Sequence, residues 1–109
     1  MCETRVVSHK GDTLISYCIY CKSFYIWHKN IVLNFTAVQF SSFRKYTDGL
    51  EFEDSAFPFP DGENRAMLNT PSKEISLAFS RDEWDDFNDA MDEAELMKEY
   101  YFMLQRTGS

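Results

Sequence analysis

Apolar and polar positions alternate in two stretches that match each other along the chain. Ile31, Leu33 and Phe35 alternate with Val32 and Asn34, and Ile75, Leu77 and Phe79 alternate with Ser76 and Ala78. A period of two puts one apolar face on an extended strand. Each stretch then meets a hydroxyl residue, Thr36 or Ser80, with Gln39 or Glu83 three positions later. That spacing predicts a capping box. The hydroxyl and the Gln/Glu side chain satisfy backbone N–H groups that a helix start leaves without partners. Phe40 and Phe43, or Trp84 and Phe87, follow on one face of the helix so begun. The two copies align without a gap at an offset of 44. We read them as an internal ββα duplication, covering 23–46 and 65–105.

The remaining patterns supply partner strands. Phe24 to His28 is aromatic and β-branched and is separated from Ile31 by Lys29-Asn30. This predicts a two-residue hairpin with His28 opposite Ile31, Ile26 opposite Leu33 and Phe24 opposite Phe35. Those six side chains share the core face, and Tyr25, Trp27, Val32 and Asn34 take the other. Ala66 to Asn69, a Thr70-Pro71-Ser72-Lys73 turn and the Ile75 strand make a second hairpin. Thr4 to His9 and Thr13 to Ile19 flank Lys10-Gly11-Asp12 and make a third. The expected fold is α+β: a mostly antiparallel sheet of about six strands with two helices packed on it, in the order β-β-β-β-α-β-β-α.

Residues 47–64, rich in Gly, Pro and acids, read as a long loop pinned to the domain by Leu50, Phe52, Phe57 and Phe59. The last helix, from about Arg81 to Gln105, carries an apolar stripe of Trp84, Phe87, Met91, Ala94, Met97, Tyr101 and Leu104. Acids fill its other face and cluster near its N-terminal end, where the helix dipole favours them. At 1.5 Å per residue it spans roughly 37 Å. Its C-terminal turns would overhang the strands and meet another subunit.

Length and charge narrow the function. A chain of 109 residues with 44% hydrophobic positions fits a single domain, 1–109. No apolar run is long enough for a membrane span, and the first residues have no apolar stretch of a secretory signal. We therefore expect a cytoplasmic protein with reduced thiols. The net charge is −7, and fifteen of the eighteen acids lie in residues 51–109. An acidic half of this kind repels phosphate, so nucleic acid is not an expected partner.

Two candidate sites emerge. Cys18 and Cys21, two residues apart, have the spacing of a metal knuckle or a redox pair. Closing the first hairpin on His9 and Asp12 sets residue 3 opposite Cys18 and brings Cys2 close. Cys2, Cys18 and Cys21 then form a candidate Zn²⁺ site lacking a fourth ligand, since His9 and His28 lie at far strand ends as surface residues. The bland alternative is ordinary thiols at a strand end. The second candidate is the outer sheet face. Tyr25, Trp27 and Val32 there need cover, from the first hairpin, from the 47–64 loop or from a partner; Tyr101 on the long helix is a further interface candidate. The acidic helix face reads as a solvated surface. No phosphate loop, zinc-protease helix or serine elbow is present, so an enzyme is not expected.

Met1-Cys2, the Cys18-Ile19-Tyr20-Cys21 pair and the aromatic strand running into Ile31-x-Leu33-x-Phe35-Thr36-x-x-Gln39-Phe40-x-x-Phe43 resemble a family of small uncharacterised bacterial proteins. The resemblance covers mainly residues 1–45. Lys22 stands where such a Cys pair is often followed by Gly. The resemblance implies no activity. Three functions follow from the residues: a non-catalytic interaction or assembly protein, expected as a homo-oligomer; a zinc-stabilised binding module; and a thiol-redox protein.

Overall fold

The computed structural model describes the backbone of residues 4–107 and side chains as far as residue 100. Four strands come first: β1 (Thr4–Lys10), β2 (Thr13–Cys18), β3 (Ser23–His28) and β4 (Ile31–Thr36). They pair in sequence order as an antiparallel meander. Helix α1 (Ala37–Asp48) leaves β4 directly. Next come the one-turn α2 (Phe52–Ser55) and the short β5 (Ala56–Pro58). Strands β6 (Asn64–Asn69) and β7 (Ser76–Phe79) follow, and α3 (Arg81–Thr107) ends the chain. The last three strands form a second antiparallel sheet in the order β5-β6-β7. The fold is α+β, as the patterning indicates, with its strands divided between two sheets. Each sheet is built from hairpins closed by short turns, which keeps every strand pairing local.

Both strand-to-helix junctions are built alike. The Gln39 N–H donates to Thr36 Oγ1 at 3.2 Å, and the Thr36 N–H donates to Gln39 Oε1 at 2.9 Å. At α3 the Glu83 N–H donates to Ser80 Oγ at 3.3 Å, and the Ser80 N–H to Glu83 Oε1 at 2.8 Å. Two donors are satisfied at each start. Each helix is thereby aimed back over the strand it left. Phe35 and Phe79, the last core residues before the caps, are both buried.

The β3–β4 register is as the two-residue turn predicts, with His28 opposite Ile31, Ile26 opposite Leu33 and Phe24 opposite Phe35. The first hairpin differs. Lys10 pairs with Thr13, not His9 with Asp12, and a bulge between Val6 and Ser8 brings Thr4 opposite Cys18. Gly11 explains the shift. It adopts φ +55 in the turn, a conformation costly for other residues. A side chain there would also collide with the Asp86 carboxylate on α3.

The core is one cluster between the sheets and the two long helices. Phe24 stacks on Phe40 at 4.5 Å and Phe35 on Phe43 at 5.1 Å, fixing α1 beneath β3 and β4. Phe79 meets Phe87 at 4.9 Å and Trp84 at 5.9 Å, fixing the start of α3 to β7. Trp84, Phe87, Met91 and Ala94 of the expected stripe are buried. Further along, α3 packs on β1 and β2, where Ser8 Oγ donates to the Ala90 carbonyl at 2.8 Å. Arg44 ties the helices together from α1, donating to Asn88 at 2.8 Å and Asp92 at 2.5 Å on α3. The 47–64 segment, expected as a loop, holds α2 and β5, and of its expected anchors Phe57 is 45% exposed. Phe52 meets Trp84 edge-on, and Leu50, Phe52 and Ala56 pack against the core.

Candidate interaction surface

Strand alternation decides what the first sheet shows to each side. Phe24, Ile26, Ile15 and Tyr17 point to the helices and are buried. The opposite face carries Leu14, Ser16, Tyr25, Trp27, Val32 and Asn34. Trp27 sits opposite Val32 and Tyr25 opposite Asn34 across the β3–β4 pair. Trp27 is 43% and Val32 45% exposed. The Trp27 indole N–H donates to Ser16 Oγ at 3.2 Å, so its one polar group is satisfied within the sheet and its ring remains available for burial. Val6, exposed on β1, extends the apolar strip across the sheet.

The first hairpin and the 47–64 segment were both candidates to cover this face. The β1–β2 hairpin continues the sheet edgeways, and β5 from the 47–64 segment joins β6 in the second sheet. Hairpin formation drives both outcomes, because a strand's backbone groups are best satisfied by a sequence neighbour. Among the described residues neither element lies over Trp27 and Val32. Tyr101 falls within α3, but its side chain is outside the described ones.

At β4 the sheet ends, and a groove of about 650 Å³ opens beside it. Asn34 and Phe35 form one wall, Val38, Gln39, Ser42, Phe43 and Tyr46 of α1 the floor, and Asn69, Thr70 and Pro71 the far wall. None of these ten residues is charged. Sequence reading placed β4 and α1 correctly but had no signal for this groove, because the β6–β7 turn reaches it from a distant part of the chain.

Of the three cysteines of the candidate metal site, Cys18 and Cys21 lie within the described residues. Cys18 ends β2 as a free and fully buried thiol. Its sulfur accepts the Cys21 N–H at 3.4 Å, and the Lys22 N–H closes the turn on the Cys18 carbonyl at 2.8 Å. Lys22 takes φ +55, the conformation that a glycine adopts freely at this position. Cys21 lies on the exposed side of that turn and is disulfide-bonded, so the expectation of reduced thiols holds for Cys18 and not for Cys21. Cys2 is outside the described residues. Among the described residues no group of three or more potential ligands converges.

The histidines also part company. His9 is exposed on β1, whereas His28, expected at the surface, is buried at 5% exposure. The cause is tertiary: Phe79 of β7 packs on its ring at 4.8 Å. Thr13 Oγ1 and His28 Nδ1 lie 3.0 Å apart, within a hydrogen bond. Burial holds the His28 pKa below its ordinary value, against the opposing pull of Glu83. Beside it Lys29 pairs with Glu83 at 2.5 Å. Burial alone would raise the Glu83 pKa, but the bonds from Lys29 and the Ser80 N–H outweigh it and hold the carboxylate low.

A family model described as a family of unknown function, DUF6686, matches residues 1–106. The chain belongs to this family. No curated protein and no solved structure matches it. The match extends well beyond residues 1–45, through α1, the second sheet and nearly all of α3. Among the described residues no helix is long and apolar enough to cross a membrane.

Proposed function

We propose that this member of the family is a non-catalytic assembly protein that self-associates through the outer face and free edge of its first sheet. The observation that carries this reading is Trp27. Its N–H is satisfied by Ser16, while its ring and Val32 lie open on a face that no described element covers. Tryptophan and tyrosine with a satisfied polar end are the side chains that anchor protein interfaces. Their surroundings on the face are apolar or neutral, which suits burial against another protein surface. The −7 charge resides mainly beyond residue 50, leaving this surface free of strong like-charge repulsion.

Light scattering coupled to gel filtration tests the reading on the full chain. A concentration-dependent dimer or higher oligomer is expected, with Trp27 fluorescence moving to shorter wavelength as the species forms. A monomer at every concentration up to about 0.5 mM, a range in which even weak association registers, would overturn it.

A further inference from the structure

The two sheets together have four terminal strands, and they differ in how they are protected. An exposed strand edge offers unpaired N–H and C=O groups to any other strand. Natural proteins blunt such edges with bulges, charges, proline or shortness. β1 carries a bulge between Val6 and Ser8, with Arg5 and Lys10 along it. β5 has only three residues and ends in Pro58. β7 has only four. β4 has none of these devices. Its six residues, Ile31-Val32-Leu33-Asn34-Phe35-Thr36, include no charge, glycine or proline, and their register with β3 is unbroken from end to end. Val32, Asn34 and Thr36 are all exposed.

We infer that β4 is the seat of a second copy of this chain, paired antiparallel through its free edge. This deepens the assembly reading and rests on it. Three observations favour a copy as the occupant. The segment is its own best complement, because an uncharged β-branched and aromatic strand is both the template and the strand that such a template takes. A twofold axis at Asn34 sets Asn34 opposite its equivalent, Val32 opposite Thr36 and Leu33 opposite Phe35, so every side chain stays on its own face. The facing Asn34 amides each bring a donor and an acceptor.

The second observation is charge. α3, which holds nine of the eighteen acids, packs on β1 and β2, whereas α1 lies beneath β3 and β4. The β4 edge is therefore the side from which two chains of charge −7 approach with least repulsion. The third is area. Trp27, Ile31, Val32 and the groove residues Val38 (76% exposed) and Tyr46 (43% exposed) flank the strand on both sides. Together with the exposed Asn34 and Thr36 they border the edge with surface that counts toward the roughly 800 Å² each partner contributes to a standard interface. Pairing would make one eight-stranded sheet, bring the two α1 helices side by side beneath it and close the groove from its open end.

The test uses the full chain, its Asn34→Lys variant and its Trp27→Glu variant, each checked by far-ultraviolet circular dichroism and followed by sedimentation. Asn34→Lys puts two ammonium groups opposite each other at the axis and is expected to weaken the dimer at least tenfold. Trp27→Glu, one strand in from the edge, removes flanking apolar area only and is expected to weaken the dimer less than Asn34→Lys does. Hydrogen exchange on the unmodified chain is an independent readout: amides in 32–36 should gain protection as concentration rises. A dimer that tolerates Asn34→Lys but is lost with Trp27→Glu overturns edge pairing and leaves the assembly reading standing. A dimer whose 32–36 amides show no added protection does the same. A chain that never dimerises overturns both.

Discussion

Thr36 and Ser80 each do one small job that decides a large feature. Each hydroxyl accepts a backbone N–H at the start of a long helix, and a Gln or Glu side chain returns the favour. Replacing either hydroxyl by Ala is expected to cost about 1 kcal/mol. The double variant should cost about the sum, since the sites share no hydrogen bond. Urea denaturation monitored by circular dichroism checks both. His28 supplies a second residue-scale prediction. Its folded pKa is lowered from 6.5 by burial, so below 6.5 the unfolded chain takes up a proton that the folded chain refuses. Stability from this group is complete above that value and declines as pH falls towards the folded pKa. Replacing His28 by Leu should flatten the decline just below pH 6.5, measured as the urea midpoint against pH. An unchanged slope in the variant would assign it to other groups.

At the scale of elements, the arrangement depends on how α1 and α3 are held together. Arg44 is buried to 8% exposure and reaches Thr47 within α1 and Asn88 and Asp92 on α3. Charge-assisted bonds from a buried guanidinium are among the stronger polar contacts. Arg44→Ala removes them together with the packing of the aliphatic stem. The expected loss is about 2 kcal/mol, read from chemical denaturation, with Asp48→Ala far milder because that carboxylate is exposed. The hairpins show which element-level features the sequence carried. His28 faces Ile31 because a two-residue turn leaves one register. The first hairpin was displaced because its turn had two possible placements, and the bulge at Val7 with the approach of Asp86 to Gly11 selected one. Neither influence is visible in the local pattern.

For the whole molecule, the split between a neutral sheet edge and an acidic helix makes self-association sensitive to salt. Copies carrying −7 each repel at long range, and screening shortens that repulsion to a Debye length of about 8 Å at physiological ionic strength. Raising the salt from about 0.02 M to about 0.3 M should therefore tighten the dimer several-fold. Sedimentation across a salt series checks this, and a dimer that weakens with salt would point to an interface held by ion pairs instead.

The capped strand–helix junctions, the face of each strand that turns inward and the buried stripe of α3 followed from the sequence by itself, because each depends on residues within a few positions of one another. The assignment of strands to two sheets, the burial of His28 under Phe79, the groove beside β4 and the identity of the unprotected edge were decided only by tertiary structure. They depend on which distant segments meet, and the period of a strand is the same at the centre of a sheet as at its border.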